Sequence, residues 1–247
     1  MEAIFFEIFE ALPRQGPGDE KSTKRAFQKL AELPEHPEIL DVGCGTGGQT
    51  LVLAKLSAGN ITALDFHEPF IKKLERNAVK AGCADRIRCV VCDMNAIDFP
   101  QGSFDVIWCE GAVFGMGFEK ALKAWRKLLR PQGYLVVSEL VWFKKRAPKE
   151  IKDFFAQPCP DMKHYKDIFS LIESSGYKLL DYFLLPSQSW WTHYYTPAEK
   201  RLASLRRKYK NNPDAQAIFD GFQVEIDMYR KYSDYYGYGF YIMRKTE

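Results

Sequence analysis

The stretch Ile39-Leu-Asp-Val-Gly-Cys-Gly-Thr-Gly-Gly-Gln-Thr50 constrains this chain more than any other. Its first residues are apolar and β-favouring, the pattern of a strand buried on both faces. Glycines then recur at Gly43, Gly45, Gly47 and Gly48. Without Cβ atoms they permit a tight turn and let a ligand approach the backbone closely. A helix pattern follows at once, from Gln49 to Lys55. Strand, glycine loop and helix together predict a nucleotide-type site, with free N–H groups aimed at an anionic part of the ligand.

The glycines alone do not choose the ligand. Gly43, Gly45 and Gly48 satisfy the dinucleotide fingerprint G-x-G-x-x-G. Asp41 argues otherwise, because a carboxylate at the strand end repels a pyrophosphate. S-adenosylmethionine carries a sulfonium, an ammonium and one carboxylate, so it is net cationic and suits an acid beside the loop. The expected contacts are Asp41, Gly43, Gly45, Thr46, Gly47, Gln49 and Thr50.

Beyond this stretch, strand and helix patterns alternate, which predicts an α/β fold with a doubly wound, mostly parallel sheet. Strands are expected at 38–42, 60–65, 87–92, 104–109, 133–141, 177–185 and 235–244. Helices are expected at 48–57, 68–82, 118–130, 149–156 and 163–175. The 247 residues suit a single domain, 1–247, carrying an insertion. Residues 1–36 read as an N-terminal helical cover: an amphipathic helix over 3–12, the loop Pro13-Arg-Gln-Gly-Pro-Gly18, and a second helix from Ser22 to Leu33. The glycine loop at 16–18 either folds over the cofactor, with Gln15 and Gly16 as expected contacts, or simply links the two helices. Residues 187–234 break the rhythm and are expected to form a lid. They open on Ser187-Gln-Ser-Trp-Trp-Thr-His-Tyr-Tyr195, read as an extended, loop-like run, and continue into helices near 197–209 and 213–231.

Three more acids fall at the carboxyl ends of expected strands, where open α/β sheets bind ligands. Asp65 follows the second strand, placed to accept hydrogen bonds from the two ribose hydroxyls; capping the next helix is its other reading. Asp93 follows the third strand, where it either accepts from an adenine amino group or caps the turn at Asn95. In the first case Phe66 and Met94 sandwich the ring. Glu110 follows the fourth strand, in Trp108-Cys-Glu-Gly-Ala112. Glu110 and His193 are the candidate bases for an oxygen or nitrogen acceptor that must lose a proton, and Tyr194 a further contact to the acceptor.

The spacing Asp41-x-Gly43-x-Gly45-x-Gly47 resembles the first motif of class I S-adenosylmethionine-dependent methyltransferases. Phe99-Pro-Gln-Gly-Ser-Phe-Asp-Val106 and Leu128-Leu-Arg-Pro-Gln-Gly-Tyr-Leu135 are similar to the segments that enter the fourth and fifth strands of their small-molecule members. Gln132 departs from the pattern, which more often has Gly there. The resemblance runs from about Glu38 to Val141. The segments Arg14–Gly18 and Trp191–Tyr195 also look like uncharacterised members of the ubiquinone/menaquinone-type group. The resemblance implies a seven-stranded sheet whose last strand is antiparallel, and methyl transfer to a small molecule, without fixing the acceptor.

The rival readings are an NAD-dependent oxidoreductase, supported by the glycines and Asp65, and a nucleic-acid methyltransferase. Against the second, the basic run Lys200–Lys210 would spread around a helix as a solvated face. The Asn-Pro-Pro-aromatic motif of base-amino methyltransferases is replaced by Glu110-Gly111-Ala112. The net charge of +3 calls for neither nucleic acid nor membrane. The apolar start, Met1 to Leu12, carries Glu2, Glu7 and Glu10, unlike a signal peptide, so a cytoplasmic protein is expected. Cys89-x-x-Cys92 lies on an expected strand, where its offset sends the thiols to opposite faces, so no metal is expected. A homodimer is compatible with such a chain.

Overall fold

Each of the seven apolar runs becomes a strand of one sheet. In the computed structural model, which describes residues 1–247, these are β1 (Glu38–Val42), β2 (Asn60–Asp65), β3 (Ile87–Val91), β4 (Phe104–Glu110), β5 (Leu129–Trp142), β6 (Tyr177–Leu184) and β7 (Tyr236–Lys245). Their order is β3-β2-β1-β4-β5-β7-β6. The pairs among β1 to β5 are parallel, and β7 runs antiparallel to both β5 and β6. The strand order reverses between β1 and β4, which stay parallel, so the loops leaving those two strands diverge and open a crevice at the carboxyl edge.

Ten α-helices accompany the strands. They are α1 (Glu2–Glu10), α2 (Glu20–Phe27), α3 (Thr50–Leu56), α4 (Glu68–Ala81), α5 (Phe118–Arg126), α6 (Lys149–Phe155), α7 (Ile168–Ser174), α8 (Gln188–Trp190), α9 (Thr196–Lys208) and α10 (Pro213–Tyr232). Several run shorter than the sequence predicts: the helix expected from Ser22 to Leu33 is Glu20–Phe27, and two others are cut back for local reasons. The helix expected from 163 starts at Ile168, because Trp142 and His164 form a strand-like bridge first. The helix from 118 ends at Arg126, because the chain from Leu129 already pairs with β4. Gln132 takes the left-handed conformation (φ +62°), alone among non-glycine residues. Its backbone thus keeps the turn for which glycine is the easier residue, at a cost of about 1–2 kcal/mol.

The segment 187–195 corrects the extended reading. Gln188–Trp190 is helical and Trp191–Tyr195 is a π-turn that runs on into α9. A π-turn shifts the helical phase, and here it leaves Trp190, Tyr194 and Tyr195 all buried. Trp190 stacks on Tyr229 with ring centroids 4.2 Å apart, and Phe9 of α1 stacks on Tyr194 at 6.3 Å. The N-terminal segment and the 187–234 insertion therefore pack on each other across the carboxyl edge of the sheet.

Candidate active site

The glycine loop is held from behind by a buried polar network. Asp41 is fully buried and accepts from Thr50 Oγ1 (2.6 Å) and Gln49 Nε2 (3.1 Å). Burial pushes its carboxyl up to about 7, against those two hydrogen bonds. Gln49 accepts from Arg14 Nη2 through its carbonyl oxygen at 3.5 Å, and Arg14 pairs with Glu110 Oε2 at 2.7 Å. Glu110 also accepts from Thr23 Oγ1 (2.7 Å) and Trp108 Nε1 (2.9 Å). One network thus joins the ends of β1 and β4 to the loop at 13–18 and to α2.

The loop's own N–H groups are committed within the chain. Gly43 and Cys44 donate to the Leu64 carbonyl, Gly45 to Asp65 Oδ2 (2.9 Å), Thr46 to Gln15 Oε1 (2.8 Å), and Gly47 to the Cys44 carbonyl. The expectation of free N–H groups facing an anion is therefore corrected for these five residues. Gly45 has a positive φ, and a Cβ there would come within 2.6 Å of Gln15 Oε1. That is how the N-terminal loop lies against the glycine loop.

A cleft opens between these parts. Of the residues expected at the cofactor, Gln15, Gly16, Gly43, Gly45, Gln49, Asp65, Phe66, Met94 and Glu110 line it. Pro17 of the 16–18 loop lines it too, and Arg14, Cys44, Gly111, Ala112 and Phe114, which escaped the sequence reading, line it as well. Asp65 is buried, which raises its carboxyl, and it accepts from Gly45 and His67 N–H. Phe66 and Phe114 are 54% and 68% exposed along the cleft, a large apolar exposure for residues flanking a crevice.

Five expected contacts are corrected. Asp41 and Thr50 bond each other beneath the loop, and neither lines the cleft. Thr46 is buried, with its N–H taken by Gln15. Gly47 faces α4, where a Cβ would come within 2.3 Å of Leu74. Asp93 caps the turn, accepting from Asn95 N–H (2.8 Å) and Asn95 Nδ2 (3.0 Å), and the backbone bond holds its carboxyl low.

Two of the catalytic candidates are corrected as well. His193 is exposed on the outer face of the π-turn, because the helical phase that buries Tyr194 and Tyr195 turns it outward. Glu110 has three donors on its carboxylate, including a guanidinium, and serves as an anchor rather than a free base. Tyr194 does line a second cavity of about 490 Å³, beyond Gln15 and Gly111. Burial holds its hydroxyl well above the usual tyrosine range, so it stays protonated. Aromatic side chains from α1, α6, the 187–234 insertion and β7 make much of the wall. Trp142 stands one layer back, packed on Phe155 and Tyr236.

Two acids in that wall went unnoticed in the sequence. Glu139 interrupts the apolar run of β5, and burial lifts its carboxyl to about 8. Glu225 sits on the inward face of α10, accepts from Tyr195 OH at 2.9 Å, and is lifted by burial to about 7. The signal for both was an acid at an apolar phase: Glu139 within Leu135–Trp142, Glu225 between Phe222 and Tyr229.

The seven-stranded sheet, its single antiparallel strand and the glycine loop at the crevice define a class I methyltransferase fold. Residues 39–133 match the family model described as a methyltransferase domain. An S-adenosylmethionine-dependent methyltransferase from Geobacter sulfurreducens, solved in complex with S-adenosyl-L-homocysteine, superposes with a TM-score of 0.86 at 18% identity, covering 99% of this chain and 98% of that one. The 2-methyl-6-phytyl-1,4-hydroquinone methyltransferase of Synechocystis sp. is 32% identical over 52% of this chain and 39% of that protein. A sterol 24-C-methyltransferase of Gibberella zeae is 31% identical over 41% of this chain and 27% of that protein. The chain spans roughly a quarter to two fifths of the length of these curated relatives. No helix is long and apolar enough to cross a membrane.

Proposed function

We propose that this chain binds S-adenosylmethionine in the cleft and transfers its methyl group to a small molecule held in the adjoining aromatic cavity. The observation that carries this reading is continuity: Gln15, Gly16, Pro17, Gly111 and Phe114 line both spaces. A group at that junction faces the cleft on one side and the cavity on the other.

The donor set fits this cofactor better than a dinucleotide. Arg14 is the only cation lining the cleft, and Glu110 already pairs with it, while Asp65 adds a carboxylate. With the loop N–H groups from Gly43 to Gly47 committed, a pyrophosphate finds no cradle, whereas a net-cationic ligand finds an acid. The residues that would hold it are Asp65 for the ribose hydroxyls, Phe66 and Met94 for the adenine, and Arg14 for the carboxylate. The chemistry that S-adenosylmethionine brings is a methyl group already activated on a sulfonium. What the chain adds is alignment and the exclusion of water. The cover at 1–36 and the lid at 187–234 do the excluding. Asp19 joins them through the Ser189 hydroxyl, and Gly18 N–H donates to the Ser189 carbonyl at 3.2 Å.

A small acceptor suits a cavity of about 490 Å³ better than a polymer does. The basic run supports this, because Arg201 and Lys208 pair with Glu7, and Arg206 with Asp220. Six unpaired thiols favour a reducing, cytoplasmic setting. Calorimetry with S-adenosylmethionine, S-adenosylhomocysteine and NAD tests the reading. Binding of the first two and no heat from NAD is expected; tight NAD binding without the others would overturn it.

A further inference from the structure

The aromatic cavity is as unusual for what it lacks as for what it contains. No lysine, arginine or histidine lines it, yet two glutamates do. Buried carboxylates ordinarily find a cation or a full set of donors. Glu225 has one donor, the Tyr195 hydroxyl. Glu139 Oε2 has none, and it is shielded from solvent.

A second observation reaches beyond the acids. Five buried side-chain polar atoms in the whole chain have no hydrogen-bond partner, and three of them belong to this one cavity wall: Glu139 Oε2, Trp190 Nε1 and Tyr236 Oη. Trp190 and Tyr236 are 4% and 1% exposed, so bulk water is no easy substitute. Their clustering on one wall marks a place for a ligand: Glu139 Oε2 and Tyr236 Oη can each accept from an ammonium, while Trp190 Nε1 only donates and calls for an acceptor elsewhere on the ligand.

We propose that the acceptor is a small organic amine, cationic when it enters, whose ammonium group is held by Glu139 and Glu225 among the aromatic faces of Trp190, Tyr236 and Tyr238. This rests on the reading of the adjoining cleft as the methyl-donor site. The rings attract a cation through their negative faces, and the carboxylates supply its counter-charge. A neutral acceptor would leave both acids without a counter-charge. An anionic one would add repulsion. Both carboxylates also press on Tyr238 and Cys159, whose protons burial already holds tightly, so the two acids act on one neighbourhood.

The arrangement also supplies the proton acceptor that Glu110 and His193 do not. An ammonium has no lone pair, so it must lose one proton before it can react. The Glu139 carboxylate takes that proton. The amine nitrogen then forms a bond to the methyl carbon as the carbon–sulfur bond breaks, its electron pair remaining on sulfur. The product is a methylated ammonium and a neutral thioether, and the proton on Glu139 passes to solvent. Burial alone holds the Glu139 carboxyl near 8, mostly protonated at neutral pH; the charge of a bound ammonium favours its ionised form, the carboxylate that accepts the proton.

Two probes of matched shape test the proposal: 2-phenylethylamine, cationic near neutral pH, and 2-phenylethanol, which is not. Calorimetry on the full chain, with and without S-adenosylhomocysteine, is expected to show the amine binding about tenfold or more tighter than the alcohol. Glu139→Gln and Glu225→Gln should each remove most of that advantage while leaving alcohol binding and S-adenosylhomocysteine affinity in place. Equal affinity for the two probes, no binding of the amine, or an undiminished preference in both variants overturns the proposal. The wild-type ratio decides the question even if a variant fails to fold. Failure of S-adenosylhomocysteine to bind would overturn the cofactor reading instead, and the probe ratio measured without it would still report on the cavity.

Discussion

The cleft and the cavity share five residues yet are built on opposite plans. In the cleft, polar groups are satisfied by the chain itself: Asp41 by Thr50 and Gln49, Glu110 by Arg14, Thr23 and Trp108, and the loop N–H groups by Leu64, Asp65 and Gln15. In the cavity, Glu139, Trp190 and Tyr236 each keep a buried atom without a partner. The first site is finished before any ligand arrives, while the second is completed by what it binds. A chain can prearrange a donor site because the same compound enters it at every turnover. It must leave the acceptor's own contacts open.

If the cleft is self-satisfied, cutting its network should cost stability more than anything done in the cavity. Arg14→Met leaves the buried Glu110 carboxylate without its guanidinium. A loss of about 3–5 kcal/mol is expected, read as a lower urea midpoint at unchanged slope. Adding Glu110→Gln should return much of it. A midpoint that does not move would show that Thr23 and Trp108 are sufficient by themselves.

Asp65 comes next, since it both faces the cleft and holds the loop. Asp65→Ala should weaken S-adenosylhomocysteine binding on the order of a hundredfold, through lost charged hydrogen bonds. The fold should loosen too, because Gly45 and His67 N–H groups lose their acceptor. Asp65→Asn keeps one acceptor oxygen, so it should weaken binding less. Calorimetry with thermal denaturation separates the two effects; unchanged affinity in a folded variant would reduce Asp65 to a cap.

The cavity acids give a smaller effect that depends on pH. Glu225 titrates near 4.5 when unfolded and near 7 in the fold, so the native state binds its proton more tightly. The unfolded chain binds fewer protons across that window, and stability falls as pH rises from about 5 to about 8. Glu139 and Asp41 contribute with the same sign. Glu225→Gln should remove on the order of 1–2 kcal/mol of this decline, seen as a flatter plot of melting temperature against pH. An identical pH profile would mean that Glu225 titrates normally. The smallest expected effect is at His193. Exposed on the outer face, His193→Ala should leave both S-adenosylhomocysteine affinity and turnover of any acceptor within error, and a fall in turnover would bring it back to the site.

The same contrast explains what could be read from the sequence. The strands of the sheet announce themselves as apolar runs, because parallel strands are buried on both faces. The expected bounds of β1 and β2 coincide with those observed. Gly43, Gly45 and Asp65 were legible because a strand end followed by a turn has local chemistry. Arg14 was not, since its partner Glu110 lies far along the chain and only the fold brings them together. Asp41 was read correctly as important, but for the wrong reason: it supports the loop from beneath rather than facing the ligand. The 187–195 run misled for want of phase. Read as extended, it placed His193 at the acceptor; wound into a π-turn, it buries the tyrosines and turns the histidine outward. Glu139 and Glu225 were visible as acids at apolar phases, a signal outweighed by the conspicuous aromatics around them.

The most direct test is a crystal structure with S-adenosylhomocysteine bound. The sulfur should lie at the junction lined by Gln15, Gly16 and Gly111, with its free side open to the cavity that holds Glu139 and Tyr194. A ligand bound with its sulfur turned away from that cavity, or bound anywhere but the glycine cleft, would contradict the two-chamber account.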